Sequence, residues 1–237
     1  MQLFYNPTIT EDSKDFLFNK EESRHISKVL RKKEGDVINI TNGKGYFFKT
    51  ELVQVLPKQC VAKVISVKAQ EHLPYSLHLA VAPTKLNDRY EWFLEKATEI
   101  GVSEITPIIC DHSERKVIKL ERFEKKIQSA MKQSLKAYLP VINEAISLKE
   151  FLKKEEATNS VKLIAHCEET KKQSLKNVLK PTENYLILIG PEGDFSNPEI
   201  NLALQTGFEP VSLGESRLRT ETAAVVACHS VAFVNEK

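Results

Sequence analysis

Glycines and charged residues occur together in two short segments of the C-terminal half, residues 189–196 and 213–223. Each segment stands between an apolar run and a helical pattern. In an open α/β sheet, ligands bind at the carboxyl ends of strands, where glycine lets the backbone approach a ligand closely. The two segments therefore predict one ligand crevice built from neighbouring loops, although a plain strand-to-helix turn would also explain the first of them.

The residue types in the two loops limit the chemistry. Glycine spacing in the first loop matches neither a dinucleotide fingerprint nor a P-loop, so neither nucleotide site is supported. In the second loop, Arg217 and Arg219 precede a predicted helix, whose first N–H groups suit a phosphate or a developing negative charge. Glu221 would favour the dipole of that helix in the ordinary structural way.

The four cysteines, Cys60, Cys110, Cys167 and Cys228, lie far apart and have no histidine at ligand spacing. Neither a zinc site nor a disulfide framework is indicated, and buried free thiols are expected. Cysteine and histidine are adjacent at two positions, but neighbouring side chains diverge on a strand and on a helix. A catalytic Cys–His pair is therefore not predicted.

The first seventy residues read as short strands with one helix. The predicted strands are residues 2–5, 36–41, 46–55 and 59–67, and the helix is about 21–30. These elements predict a small β-barrel that serves as a binding module. Residues 68–74 are polar with a proline and form the predicted linker.

After the linker, strands alternate with helices, which predicts a largely parallel sheet covered on both faces. Helices are predicted at 89–100, at 120–138 before Pro140, after the capping-box spacing of Ser196 and Glu199, and as a buried final helix at 222–234. The predicted strands are residues 77–82, 104–109, 161–165, 185–189 and 211–213.

Composition places the chain among globular proteins. Its 237 residues are 41% hydrophobic and 28% charged, enough for one large or two small domains. Neither a run of about 18 apolar residues nor a signal peptide is recognised, so a cytoplasmic location is expected. Residues 1–70 carry 12 Lys/Arg against 8 Asp/Glu, and residues 181–237 carry 3 against 8. This asymmetry suits one surface that meets a polyanion, with ordinary solvated charge as the alternative.

At the two loops the chain resembles a known family. Gly190-Pro191-Glu192-Gly193 with Ser196 and Glu199, then Leu213-Gly214 and Leu218-Arg219-Thr220-Glu221-Thr222-Ala223, resemble the paired signature of the RsmE family. These are 16S ribosomal RNA uridine N3-methyltransferases of the SPOUT superfamily. His25-Ile26 with Val29-Leu30-Arg31, Lys96–Val102 and Ile105–Pro107 extend the likeness over almost the whole chain. Asp194 stands where a glycine is common, and Lys132 and Lys136 replace a usual glutamate and arginine.

The resemblance implies an α/β fold with two domains. Residues 1–70 would form a small N-terminal PUA-like RNA-binding β-barrel, and residues 74–237 a SPOUT methyltransferase domain. In that superfamily the C-terminal segments tuck through one another in a trefoil knot. The residues alone predict an unknotted doubly wound sheet, because threaded chains are rare.

The resemblance also implies S-adenosyl-L-methionine as cofactor and no metal. Arg219 would stabilise the charge left on uracil when its imide proton is lost, or would form a structural salt bridge instead. Glu192 would act as base, orient the substrate or satisfy loop N–H groups. The predicted cofactor-binding residues are Ile189, Gly190, Pro191, Glu192, Gly193, Leu213, Gly214, Leu218, Arg219 and Thr220.

The implied partner is 16S rRNA or the small ribosomal subunit, without a membrane. A homodimer is expected, and His112, Glu114 and Arg115 follow a strand end from which they can reach the active site. The predicted RNA-binding residues are Arg24, Arg31, Lys32, Lys33, Arg115, Lys132 and Lys136.

Two other functions stay open from the sequence. Another SPOUT branch methylates the ribose 2′-oxygen and shares the Gly-x-Glu-Gly loop. Its last loop has a sequence similar to Ser-Leu-Asn-Val-Ser, whereas this chain has Leu-Arg-Thr-Glu-Thr at residues 218–222. The other alternative is a non-catalytic RNA-binding or ribosome-assembly factor without cofactor affinity.

Overall fold

Residues 2–155, 159–169 and 171–236, which the computed structural model describes, form two units, each with its own sheet. The first unit comprises Met1–His72 and Met131–Leu139, and the second comprises Leu73–Ala130 and Pro140–Lys237. The division predicted from the sequence keeps residues 131–139 in the second domain, so the contacts group this stretch differently.

The first unit is a five-stranded sheet with the strand order β1-β3-β4-β5-β2. In β4, buried Phe48, Thr50 and Leu52 alternate with exposed neighbours, as expected for a strand with one face on a core. Four predicted strands are confirmed to within about two residues, whereas β2 is too short to show an alternating pattern. The elements are β1 (Leu3–Tyr5), β2 (Asp15–Leu17), α1 (Lys20–Arg24) with a π-helical continuation (His25–Val29), β3 (Val37–Thr41), β4 (Tyr46–Leu56) and β5 (Gln59–Ala69).

The helix predicted to run to residue 138 is wrong at its end, because α3 (Leu120–Gln133) stops five residues earlier. Leu135 adopts a left-handed φ of 55°, which an α-helix does not allow. Beyond it, the N–H of Leu139 donates to the carbonyl of Gly43, and the N–H of Ala137 donates to Gln70 Oε1. Backbone groups of this segment are thus satisfied by the first unit instead of by a further helical turn.

The second unit is an eight-stranded parallel sheet with helices. Its elements, besides most of α3, are β6 (Leu77–Val81), α2 (Asn87–Ile100), β7 (Glu104–Ile109), β8 (Val141–Ile142), β9 (Ile146–Ser147), α4 (Leu148–Lys154), β10 (Val161–Ala165), β11 (Gln173–Ser174), α5 (Leu175–Val178), β12 (Tyr185–Ile189), α6 (Asn197–Gln205), β13 (Glu209–Ser212) and α7 (Thr220–Val234).

Strand order explains why the C-terminal loops meet. The sheet runs β11-β13-β10-β12-β6-β7-β8, and β9 pairs with β7. All five residues of β12 are buried, as expected for a strand enclosed by a parallel sheet. The chain leaves β12 for β13 beyond β10, and then returns as α7 to pack on α2 and β6. This return brings the last loop back to the end of β12.

The final helix was predicted to be buried, and this is wrong for one of its faces. Ala224, Ala227, Cys228 and Val231 are buried, but Phe233 is 63% exposed. The small residues therefore pack one face on the core of the unit, and the apolar side chains on the other face stay accessible in a single chain.

The capping box predicted before α6 is confirmed. The Ser196 hydroxyl accepts the N–H of Glu199, and the Glu199 carboxylate accepts the N–H of Ser196. The same two side chains also hold the end of β7, because Ser196 Oγ donates to Asp111 Oδ2 at 2.6 Å and Glu199 Oε1 accepts the N–H of Asp111 at 2.9 Å. One cap thus joins α6 to a loop at the same edge of the sheet.

We expect Ser196→Ala to lower the free energy of unfolding by about 1–2 kcal/mol, because it removes a helix cap and a side-chain hydrogen bond. Denaturant titration followed by circular dichroism measures the change. Ser174→Ala is the matched control, since Ser174 precedes α5 without making a side-chain cap hydrogen bond. Equal losses in the two variants would contradict the role given to this cap.

Candidate active site

Four loops meet because the strands that precede them are parallel and in register. Ile189 at the end of β12 pairs with Ala165 of β10 on one side and with Val81 of β6 on the other. Ala165 also pairs with Val211 of β13. The segments that follow these four strands therefore leave the sheet at one edge, where an open α/β sheet places its ligand site.

The first loop turns tightly after β12. The N–H of Asp194 donates to the carbonyl of Pro191 at 2.9 Å, and Asp194 itself has a left-handed φ of 63°. This conformation suits aspartate, since Asp visits the left-handed region more readily than most residues with a side chain. The Asp194 carboxylate also accepts the N–H of Cys167 at 2.7 Å, which ties the loop to the end of β10.

Close packing leaves little room for a side chain at the two glycines of this loop. A Cβ on Gly190 would lie 3.0 Å from the Phe195 ring, and a Cβ on Gly193 would lie 3.0 Å from the Cβ of His112. Their absent side chains thus leave backbone groups at the floor of the site.

A buried hydrogen bond joins the first loop to the second. The Thr220 hydroxyl, at the start of α7, donates to the carbonyl of Gly190 at 3.0 Å. Arg219 is the N-cap residue of this helix, and its side chain accepts no hydrogen bond from the helix. The first N–H groups of α7 are therefore available to other partners. The loops predicted from sequence to be neighbours are therefore in contact.

Two adjoining cavities of about 700 and 330 Å³ open between the loops, and both are lined by Ala165, Cys167 and Leu218. Each of the ten residues predicted to bind a cofactor lines at least one of them. Gly193, Leu213 and Gly214 line the larger cavity, Leu218 lines both, and Ile189, Gly190, Pro191, Glu192, Arg219 and Thr220 line the smaller. We call this pair of cavities the slot.

Sequence reasoning missed the segment after β10, which supplies His166, Cys167 and Lys172 to the slot. His166 is 7% exposed, and neither ring nitrogen has a hydrogen-bond partner among the described residues. Burial lowers its pKa below the ordinary value, and the nearby Lys172 lowers the pKa further, so the ring is neutral at neutral pH. The position of His166 directly after a predicted parallel strand was the available signal.

All four cysteines are free, as predicted, but the expectation that all are buried is wrong for Cys167. It is exposed because it follows β10 into the slot, whereas Cys60, Cys110 and Cys228 pack inside the protein.

Glu192 has one oxygen engaged and one without a partner. Its Oε1 accepts the N–H of Lys85 at 2.9 Å, across to the loop after β6, whereas Oε2 is buried with no hydrogen-bond partner among the described residues. The carboxylate thus satisfies a loop N–H group and retains acceptor capacity at the wall of the slot. Arg219 is exposed at the same wall.

The residues after β7 hold the neighbouring loops. His112 Nδ1 lies 3.0 Å from the carbonyl oxygens of both Gly193 and Asp194, so this nitrogen carries the ring proton. Glu114 forms a 2.8 Å ion pair with Lys85. The Arg115 guanidinium donates to the carbonyls of Thr84 and Lys85. These contacts give Arg115 a structural role beside the RNA contact predicted for it.

Six of the seven predicted RNA-binding residues belong to the first unit, since Lys132 and Lys136 fall in the stretch grouped with it. Arg24, Arg31 and Lys33 are exposed, and Lys32 and Lys132 are half-buried. Lys132 also lowers the pKa of Glu22, whose pKa is raised chiefly by burial. The sequence analysis placed Lys132 and Lys136 in the catalytic domain, whereas the contacts group them with the first unit.

No group of three or more His, Cys, Asp or Glu side chains able to hold a metal ion occurs within residues 2–155, 159–169 and 171–236. Over the same residues, no helix combines the length and apolar character needed to cross a membrane.

Two protein families match the chain. An RNA methyltransferase domain matches residues 71–232, and an RNA methyltransferase PUA domain matches residues 18–65. The ribosomal RNA small subunit methyltransferase E of Buchnera aphidicola (subsp. Acyrthosiphon pisum, strain APS) is 32% identical over 226 residues, which cover 91% of this chain and 87% of that protein.

Solved structures agree with the family matches. A probable rRNA-methyltransferase from Porphyromonas gingivalis is 42% identical and superposes with a TM-score of 0.90, covering 99% of this chain and 98% of that one. The ribosomal RNA small subunit methyltransferase E from Neisseria gonorrhoeae, bound to S-adenosyl methionine, is 27% identical, with a TM-score of 0.87 and coverages of 99% and 98%. The predicted fold class, a SPOUT α/β domain with an N-terminal PUA-like domain, is confirmed. This chain belongs to the RsmE family of RNA methyltransferases.

Proposed function

We propose that the protein transfers a methyl group from S-adenosyl-L-methionine to N3 of a uridine in 16S rRNA of the small ribosomal subunit, in the cytoplasm. The observation that carries the proposal is the slot. Its two loops have the residues of the family signature, and the hydrogen bond from Thr220 to Gly190 holds them together. Among relatives, the name of the Buchnera protein gives small-subunit ribosomal RNA as substrate, and the Neisseria structure holds the same cofactor.

The slot fits an adenosyl group on physical grounds. Its larger cavity, about 700 Å³, lies within the range of small-molecule sites. Apolar walls from Val211, Leu213 and Leu218 accompany backbone groups of Gly193 and Gly214, and the glycines remove side chains that would block close approach. The neutral His166 adds an imidazole whose nitrogens have no partner among the described residues. These are the groups that an adenine ring and a ribose require.

The sulfonium of the cofactor supplies a methyl group that is already activated. The residues of the chain therefore need only position the uracil and stabilise the charge that it gains when N3 loses its proton. We assign Arg219 to the negative charge that uracil gains when N3 loses its proton, since this exposed guanidinium stands at the wall of the slot. We assign Glu192 to orientation of the substrate, since its Oε1 fixes the loop after β6 and its Oε2 keeps acceptor capacity.

We assign RNA binding mainly to the N-terminal domain, residues 1–70, and catalysis to residues 74–237. Arg24, Arg31, Lys32 and Lys33 would contact phosphates there, joined by Lys132 and Lys136 from the stretch grouped with the first unit. Arg115 would add a contact beside the slot. Basic side chains on one unit suit an extended polyanion better than a small acidic ligand.

We also propose a homodimer. The final helix α7 consists mostly of small and apolar residues, which are usually buried. In this helix, however, Phe233 is 63% exposed, and Val225 and Val226 are only half-buried. A second copy of the chain would cover these side chains, as exposed apolar patches on soluble proteins commonly mark interfaces.

The function is tested by methylation of small subunits from a strain that lacks the protein. Incubation with the protein and labelled S-adenosyl-L-methionine should place one methyl group on a uridine base, which nucleoside mass spectrometry identifies as 3-methyluridine. A methyl on the ribose would support the 2′-O branch instead. Absence of both methylation and cofactor binding would support a non-catalytic assembly factor.

Arg219→Ala is expected to lower kcat by about 10²–10³-fold, because one donor to the developing charge is lost. Calorimetry should show that S-adenosyl-L-methionine still binds. Lys176→Ala removes an exposed cation from α5, outside the lining of the slot, and should leave kcat unchanged. An unaltered kcat in Arg219→Ala with cofactor bound would remove Arg219 from the mechanism.

A further inference from the structure

A third cavity, of about 600 Å³, adjoins the slot through the last loop. Arg217, Leu218 and Arg219 line both, so a molecule in this cavity lies beside whatever the slot holds. The remaining lining residues are Asp88, Arg89, Trp92, Glu221 and Thr222. We call it the Trp92 cavity.

Trp92 is the single tryptophan of the chain and lies on α2 with 43% of its surface exposed. The core does not need it, because Phe93 and Leu94 of the same helix supply the buried contacts. A large aromatic ring at the wall of an open cavity offers a face for a planar ligand, and nucleobases stack on such faces.

Glu221 carries an unsatisfied carboxylate in the same wall. Only 7% of the residue is exposed, its Oε2 has no hydrogen-bond partner among the described residues, and its Oε1 lies 3.8 Å from Arg89 Nε. At that distance the pair attracts electrostatically but does not form a hydrogen bond. A buried carboxylate with unmet acceptor capacity is costly, so a donor from a ligand would stabilise it.

We propose that the Trp92 cavity receives the target uracil, which stacks on Trp92 and gives its N3 proton to the Glu221 carboxylate. The N–H bond breaks, Glu221 holds the proton, and the freed N3 lone pair takes the methyl group from the sulfonium. The edge of uracil presents an oxygen acceptor, the imide donor and a second oxygen acceptor. Glu221 supplies the acceptor for the imide, and Arg89, with Arg219 nearby, supplies donors for the oxygens. This inference rests on the proposed function and adds its substrate-reading residues.

The arrangement distinguishes uridine from cytidine. Cytosine has a lone pair at N3, which a carboxylate would repel, and it has an amino group in place of one oxygen. A base inside a duplex cannot reach the cavity, so the target must be unstacked or flipped out, as for other enzymes that modify a base. Stacking on Trp92 repays part of the cost of unstacking.

The test compares methylation of unmodified small subunits by three variants of the cavity and one control variant, with labelled S-adenosyl-L-methionine. Trp92→Leu keeps an apolar side chain without an aromatic face and should lower kcat/KM roughly 5- to 100-fold. Trp92→Phe should keep most of it. Glu221→Gln should also lower kcat/KM, about tenfold or more, because it replaces a charged acceptor. Leu204→Ala, an exposed leucine on α6, is the control and should be unaffected.

Two further readouts separate base reading from structural roles. Calorimetry should give the same affinity for S-adenosyl-L-methionine in all variants, and sedimentation should give the same oligomeric state. Wild-type rates in Trp92→Leu, or in Glu221→Gln, would overturn the proposal. A shift of Trp92→Leu to a smaller species would also overturn it, since Trp92 would then be a subunit contact. Failure of the wild-type protein to methylate any subunit would instead remove the proposed function.

Discussion

The hydrogen bond between the Thr220 hydroxyl and the Gly190 carbonyl is the contact on which the site depends. The bond is buried, and a buried Gly190 carbonyl without a hydrogen-bond partner would lower the free energy of unfolding. The arrangement of the two loops that forms this bond is therefore favoured. The bond joins the end of β12 to the start of α7, two segments thirty residues apart. The slot, the position of Arg219 and the shared wall with the Trp92 cavity all follow from that junction.

The sheet makes this junction available. Because β12 lies between β10 and β6, its carboxyl end has a neighbouring loop on each side, and each contributes a contact. The loop after β10 donates an N–H to Asp194, and the loop after β6 donates one to Glu192. Backbone donors from both neighbours therefore fix the first loop before any ligand arrives, which lowers the ordering cost of binding.

Much of this organisation can be predicted from the sequence. The apolar run of β12, the glycines after it and the capping box at Ser196 each leave a local pattern. The structure confirms the buried strand and the capping box, and it packs Gly190 and Gly193 tightly against Phe195 and His112. What local pattern cannot report is which strands become neighbours. His166 and Cys167 were considered only as a catalytic pair, because their place in the slot comes from the pairing of β10 with β12 and not from their being adjacent. The end of α3 was predicted wrongly for the same reason, since backbone groups of the first unit satisfy the segment that follows it.

Charged residues were the least predictable from sequence. From the sequence, Glu221 is a typical acidic residue in the first turn of a helix. Only its burial and the Oε2 without a hydrogen-bond partner among the described residues distinguish it. Arg115 looks like a surface cation, yet its guanidinium is engaged by two carbonyl oxygens. Residue type gives the possible chemistry of a charge, whereas its role depends on burial and on tertiary contacts.

Calorimetric titration of Thr220→Val with S-adenosyl-L-methionine tests the junction most directly. Valine keeps the shape of threonine without the hydroxyl, so we expect affinity to fall about tenfold or more, relative to a wild-type protein that binds one molecule per chain. Thr98→Val is the matched control, because its buried hydroxyl donates within α2 to Leu94 and does not line the slot. Wild-type affinity in Thr220→Val, or a wild-type protein that binds no cofactor, would contradict the account.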